Sequence, residues 1–217
     1  MRVAIFGASG ATGSLLTRRC VKGGHHVTVL VRSREFPYFA GHVCVVHGSV
    51  FDPLAVADTV RAADVVFSTL GARSLRREDV LERAVPLIVQ AMQETATTHK
   101  PVRRIIVLGS AGALPDSLDF QPAWRRWIVQ KIIYKTVLKW PVASQVFQYK
   151  ALSTSGLDWT MVMPPMLTNG PLRGRCCVDG DALPLNATHI SRADVAAFMF
   201  QQINSPQWIR KGVYISY

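Results

Sequence analysis

Val3-Ala4-Ile5-Phe6-Gly7-Ala8-Ser9-Gly10-Ala11-Thr12-Gly13-Ser14 is the stretch on which the reading of this chain turns. Four apolar residues predict a short buried strand, and the periodic residues from Thr12 to Lys22 predict a helix. Between them the glycines are spaced G-x-x-G-x-x-G, one residue away from the strict G-x-G-x-x-G form. Strand, glycine-rich turn and helix together make an anion site. Glycine lets backbone approach a phosphate closely, and the free N–H groups and dipole of the helix N-terminus attract negative charge. Gly7, Ser9, Gly10, Ala11, Thr12 and Gly13 are therefore expected to surround the pyrophosphate of a dinucleotide.

The next strand candidate, Val27–Val31, ends before Arg32-Ser33, and Arg32 stands 19 positions after Gly13. A dinucleotide fold holds the adenosine ribose at this point. An acid there would bond the 2′-hydroxyl of NAD, whereas an arginine suits the 2′-phosphate of NADP. No Asp or Glu lies between Arg19 and Arg34. NADP(H) is the expected cofactor, with Arg32 and Ser33 at the ribose.

Further strand candidates are Val43–Val46, Val65–Ser68, Arg104–Leu108 and Trp159–Met163, with Val213–Ser216 expected to close the sheet edge. Helix candidates are Pro53–Arg61, Glu78–Thr95, a basic stretch near Ala123–Trp140, Val142–Thr154 and Arg192–Gln202. Alternation of this kind predicts an α/β fold with a single doubly wound parallel sheet, Rossmann-like and three-layered α/β/α. Ser191-Arg192-Ala193-Asp194 resembles a capping box, read as structural. Ligands in this architecture lie outside the carboxyl ends of the strands. Those ends supply Ser49 and Val50, Leu70, Gly71 and Arg73, Ser110, and Met163 with Pro164. Ser110, which follows Gly109, is the candidate catalytic group, a hydroxyl able to bond a substrate carbonyl beside the nicotinamide.

At 217 residues, 49% hydrophobic and 18% charged, the chain fits one domain over residues 1–217. The first residues enter a strand at once and no 18-residue apolar run is present, so a signal peptide and a membrane span are not expected. The four cysteines form no C-x-x-C pair and the histidines show no metal-ligand spacing. A reducing cytoplasm is the expected location, and no metal is expected. Lys plus Arg number 25 against 14 acids, and Gln121 to Leu157 contains no acid at all. Arg125, Arg126, Lys131, Lys135, Lys139 and Lys150 concentrate the positive charge there. Charge alone would suit nucleic acid, but no nucleic-acid motif accompanies it.

In order and spacing, several further pieces resemble the atypical NAD(P)-binding branch of the short-chain dehydrogenase superfamily, in particular the biliverdin-IXβ reductase/flavin reductase group. They are Ile5 to Gly13, Val27 to Arg32, Leu70 to Arg73, Ser155 to Trp159 leading to Val162-Met163-Pro164-Pro165, and Ile190 to Ala196. The resemblance implies NADPH held by Gly7, Ser9 to Gly13, Arg32, Ser33 and the Leu70–Arg73 turn, with Ser110, Met163 and Pro164 flanking the nicotinamide. It implies hydride transfer to planar conjugated acceptors such as flavins, linear tetrapyrroles and quinones. Two positions depart from the group: Met166 stands where it has a histidine, and Ser49 where many relatives carry Asp. The Tyr-x-x-x-Lys pair of classical short-chain dehydrogenases is missing, since Leu138 follows Tyr134 at four positions and Ser153 follows Tyr149. That disfavours alcohol–ketone chemistry. It also admits a different class, an NmrA-like regulator that senses NADP(H) without turnover.

The basic stretch from Trp124 to Lys139 is expected to wall the substrate pocket as a helix packed on the core, with Lys131, Lys135 and Lys139 as an exposed stripe. Solvated lysines on a core helix, attraction of anionic acceptors, and docking to a membrane surface or partner all remain open for it. Oligomeric state is not legible.

Overall fold

Strand β1 (Arg2–Phe6) is buried on both faces, which its unbroken apolar run requires. The computed structural model describes residues 1–32, 42–72, 76–97, 100–129 and 138–217, with only the backbone at 97, 115 and 125. Ser33 and Arg73 fall outside those residues, as do Lys131, Tyr134 and Lys135. After β1 come α1 (Ala11–Lys22), β2 (His26–Val31), β3 (Val43–His47), α2 (Pro53–Val60), β4 (Val65–Ser68), α3 (Val80–Glu94) and β5 (Arg104–Leu108). The second half has α4 (Ala123–Ile128), α5 (Lys139–Ser153), β6 (Asp158–Met163), β7 (Met166–Thr168), β8 (Cys177–Asp179), β9 (His189–Ser191), α6 (Arg192–Gln201) and β10 (Lys211–Ser216).

Among the described residues the main sheet has eight strands in the order β3-β2-β1-β4-β5-β6-β10-β8, parallel except for β8. This is the expected doubly wound Rossmann-like sheet. Alternate residues of β1 feed two cores. Ala4 and Phe6 pack with Val56 of α2 and with Val85 and Ile88 of α3, while Val3 and Ile5 pack with Leu16 of α1 and Val195 and Met199 of α6. The chain winds outward from β1 through β2 and β3, then returns to build β4 and beyond on the other side. The crevice at the carboxyl ends of β1 and β4 is thus the switch point where such sheets bind ligands.

Three expectations are corrected. Val213–Ser216 does not close the edge: Val213, Tyr214 and Ile215 are completely buried, so β10 needs a neighbour on each side, and the exposed β8 takes the edge. Helix α5 starts at Lys139 instead of Val142, because Pro141 in its first turn lacks an N–H that would be unpaired there anyway. The aromatic residues of α4 do not pack on the core: Trp124 and Trp127 are 68% and 59% exposed. Leu118, Gln121 and Val129 occupy the neighbouring inward places instead. Residues 130–137 lie outside the described part.

Ser191 caps α6 as expected, its Oγ accepting from the N–H of Asp194 at 3.0 Å. The reciprocal half of the box is absent. The N–H of Ser191 donates to Tyr217 Oη at 3.2 Å, and the Asp194 carboxylate is used elsewhere. No helix among the described residues is long and apolar enough to cross a membrane.

Candidate functional site

One cleft of about 1160 Å³ runs along the carboxyl ends of β1, β4 and β5. Its first part is the glycine turn. Gly7 has φ +83°, a left-handed conformation that L side chains avoid, and a Cβ there would lie 2.7 Å from Thr69 Oγ1. Gly10 donates its N–H to Gly7 O at 2.9 Å and leads into α1 without a side-chain cap or an acid in the first turn. Ser9, Gly10 and Ala11 are exposed to the cleft, so the uncapped amides at the start of α1 face open space. Arg19 and Lys22 in the last turn complement the other end of the helix dipole. Gly13 serves packing: an added Cβ would sit 2.1 Å from Gly7 O. Small residues, a strained turn and free amides fit a diphosphate.

Thr69, just past β4, was not singled out by the sequence. Its Oγ1 lies 3.1 Å from both Phe6 O and Gly7 O and donates to that pair, bracing the turn from the far side of the switch point. The signal for it was its position at a strand end, one residue before Leu70. Leu70 and Gly71 line the same cleft.

Ser110 follows β5 in extended backbone, its hydroxyl does not cap the 3₁₀ turn Ala111–Ala113, and it lines the cleft half-buried. Its place is set by backbone bonds on either side, Gly109 N–H to Val162 O at 2.7 Å and Ala111 N–H to Pro164 O at 2.9 Å. Met163 and Pro164 are buried, and neither lines the cleft. Met163 packs beneath Gly109, where its Cγ would be 3.3 Å from an added Cβ. Pro165, Met166 and Leu167 form the wall in their stead. Arg32 is exposed at the end of β2, and Ser49 and Val50 are half-buried past β3, none of them in the cleft.

The other end of the cleft is built from distant segments. Gln121 Nε2 donates to Leu183 O at 3.0 Å and to Pro184 O at 2.8 Å, tying the stretch before α4 to the loop before β9. Gln145 of α5 lines the cleft, and its neighbour Ser144 donates to Glu82 Oε1 at 2.7 Å, which fixes α5 against α3. Arg192, the first residue of α6, is the one charged residue among the described lining, and its Nη1 donates to Asn169 Oδ1 at 2.7 Å. Tyr149 turns away and meets Trp159 edge-on at 5.5 Å.

Behind Arg192, the buried Asp194 carboxylate organises the loop. It accepts from the N–H groups of Arg173 and Gly174, from Ser191 Oγ at 2.7 Å and from Tyr217 Oη at 2.5 Å. Burial alone would raise this carboxyl, but the hydrogen bonds from Tyr217, Ser191 and the two amides hold it below its ordinary value. Burial, with the Asp194 and Cys177 charges, pushes the neighbouring Cys176 thiol up.

A family model described as NAD(P)H-binding matches residues 7–206, nearly the whole chain. The chain belongs to the NAD(P)H-binding family. A probable pinoresinol-lariciresinol reductase of Arabidopsis thaliana is 25% identical across 99% of this chain and 67% of its own length. The chain therefore spans about two-thirds of that relative. Among solved structures of the family's fold, a short-chain dehydrogenase/reductase from Veillonella parvula, in complex with NADP, superposes with TM-score 0.79 at 21% identity. That match covers 100% of this chain and 94% of the other. An anaerobillin reductase from Escherichia coli gives TM-score 0.78 at 21% identity, covering 100% and 97%. Membership of the NAD(P)H-binding family gives NAD(P)H as the cofactor and makes the chain an NAD(P)H-dependent oxidoreductase in class.

Proposed function

We propose that this chain is an NADPH-dependent reductase of planar conjugated acceptors: flavins, linear tetrapyrroles or quinones. One observation carries the reading. The cleft continues without a break from the amides of Gly10 and Ala11, past Ser110, to a wall of Val142, Met166, Leu167 and Leu183, and Arg192 is its sole described charge. A mostly apolar slot with a few placed polar groups holds a flat conjugated face better than a small polar alcohol. Anaerobillin and flavin also appear in the names of two proteins of similar fold, which agrees with this class of acceptor.

When bound, the reduced nicotinamide supplies a hydride. The chain's own part is alignment: the turn fixes one end of the cofactor, Thr69 keeps that turn in shape, and the slot stacks the acceptor in reach. Ser110 Oγ, unused in capping, donates to an acceptor oxygen, and solvent provides the proton. Arg32, exposed beyond β2, is the choice for a 2′-phosphate and so for NADP over NAD. Ser33, next to Arg32, and Arg73, at the end of the Leu70–Arg73 turn, complete the proposed cofactor site.

NADPH oxidation followed with FMN, riboflavin, a linear tetrapyrrole and menadione should show turnover with at least one of them. Inactivity across that panel, with tight NADPH binding retained, would overturn the reductase reading. It would favour a cofactor sensor, for which the lack of a Tyr-x-x-x-Lys sequence is the supporting observation.

A further inference from the structure

Gln148 of α5 is completely buried, and its Nε2 donates to Leu108 O at 3.2 Å and to Gln145 Oε1 at 3.1 Å. Leu108 O is a backbone carbonyl and can only accept, so the Gln148 amide cannot be turned over without setting two oxygens face to face. That orientation leaves Gln148 Oε1 buried without a partner. It also dictates the state of the next amide. The atom of Gln145 that meets Gln148 must be its oxygen, so its Nε2 is directed away from that contact, and it donates to no described group. Gln145 is 9% exposed and is among the residues that line the cleft, as is Ser110 at the end of β5. The helix that carries it is held to α3 through Ser144 and Glu82.

A relay of this kind has a direction. A fixed carbonyl sets one amide, which sets a second, and the second is left with its donors free of described partners. We propose that Gln145 Nε2 is a specificity determinant that binds a carbonyl oxygen of the acceptor, and that Gln148 is the positioning residue that keeps this donor outward. The proposal rests on the reductase reading above and narrows its acceptor class to conjugated molecules that carry a ring or lactam carbonyl. The chemistry balances without a new co-reactant. NADPH gives a hydride to the conjugated system and becomes NADP+, the displaced electron pair moves to the carbonyl oxygen, and that oxygen takes a proton from water. An amide N–H donates without releasing its proton, so Gln145 stabilises the charge gathering on that oxygen while water supplies the proton.

The test is equilibrium binding to the NADP+-loaded protein, which does not depend on turnover. Lumichrome, a planar tricycle with two ring carbonyls, is compared with phenazine, a planar tricycle with none. Wild type should bind lumichrome about tenfold more tightly than phenazine, and Gln145→Leu should remove most of that preference without weakening phenazine. Gln148→Leu should also reduce the preference, and Gln145→Glu, which offers acceptors in place of donors, should remove it. Retained NADP+ binding checks that each variant folds. If both tricycles bind wild type equally, or Gln145→Leu keeps the preference, the inference is overturned while the reductase reading stands. If neither binds any NADP+-loaded form, the acceptor slot itself is refuted and the inference falls with it.

Discussion

The two ends of the cleft are made of different materials. The end proposed to hold the cofactor phosphates is backbone: Gly7 in a left-handed turn, Gly13 against Gly7 O, and the uncapped start of α1. The end proposed to hold the acceptor is side chains drawn from the segments around Gln121, Gln145, Met166 and Arg192, joined by bonds across large sequence separations. Backbone geometry tolerates almost no substitution, whereas a wall of side chains can change its lining and keep its shape.

The strongest way to break the comparison is Gly13→Ala. Its Cβ would meet Gly7 O, a backbone atom that cannot swing aside, so a stability loss of about 3 kcal/mol in denaturant melts and loss of NADP+ binding are expected. Near-normal binding in this variant would show that the turn does not depend on close packing.

Asp194→Asn attacks the other end. An amide brings donors toward Ser191, Tyr217 and the N–H groups of Arg173 and Gly174, costing about 2 kcal/mol through the mismatched bonds. The pH dependence has a fixed sign. Because the native carboxyl sits below its ordinary value, its contribution is complete above the ordinary carboxylate range and is lost as pH falls through the native pKa. Melting temperature against pH should therefore fall less steeply on the acid side in the variant than in wild type.

The same contrast explains what could be read in advance. Apolar runs and a glycine spacing are local, so the seven long strands of the main sheet and the glycine turn after β1 were legible in Val3–Gly13 and its successors. The three-residue strands β7, β8 and β9 were not, since their pairing depends on partners that are far away in the chain. Gln121, Gln145 and Arg192 carry no motif. Gln145 gains its meaning from Gln148 and Leu108 O, and Arg192 lay inside a segment that read as a helix cap. Met163, by contrast, was at the right strand end but on the inward side of the pleat, under Gly109.

Two smaller effects sharpen the division. Arg32→Ala should weaken NADP+ about tenfold and leave NAD+ unchanged in a competition titration, because a phosphate loses its charge-assisted partner and a hydroxyl does not. Ser110→Ala should lower kcat/KM only about threefold in steady-state assays with an active acceptor, the effect of one neutral hydrogen bond.

Calorimetric titration with NADP+, NADPH, NAD+ and NADH is the most direct measurement of what the glycine turn and Arg32 do together. Binding of all the tested coenzymes at one site per chain, with the 2′-phosphorylated pair at least about tenfold tighter, is the predicted result. No heat with any of the four, or a preference for the unphosphorylated pair, would contradict it.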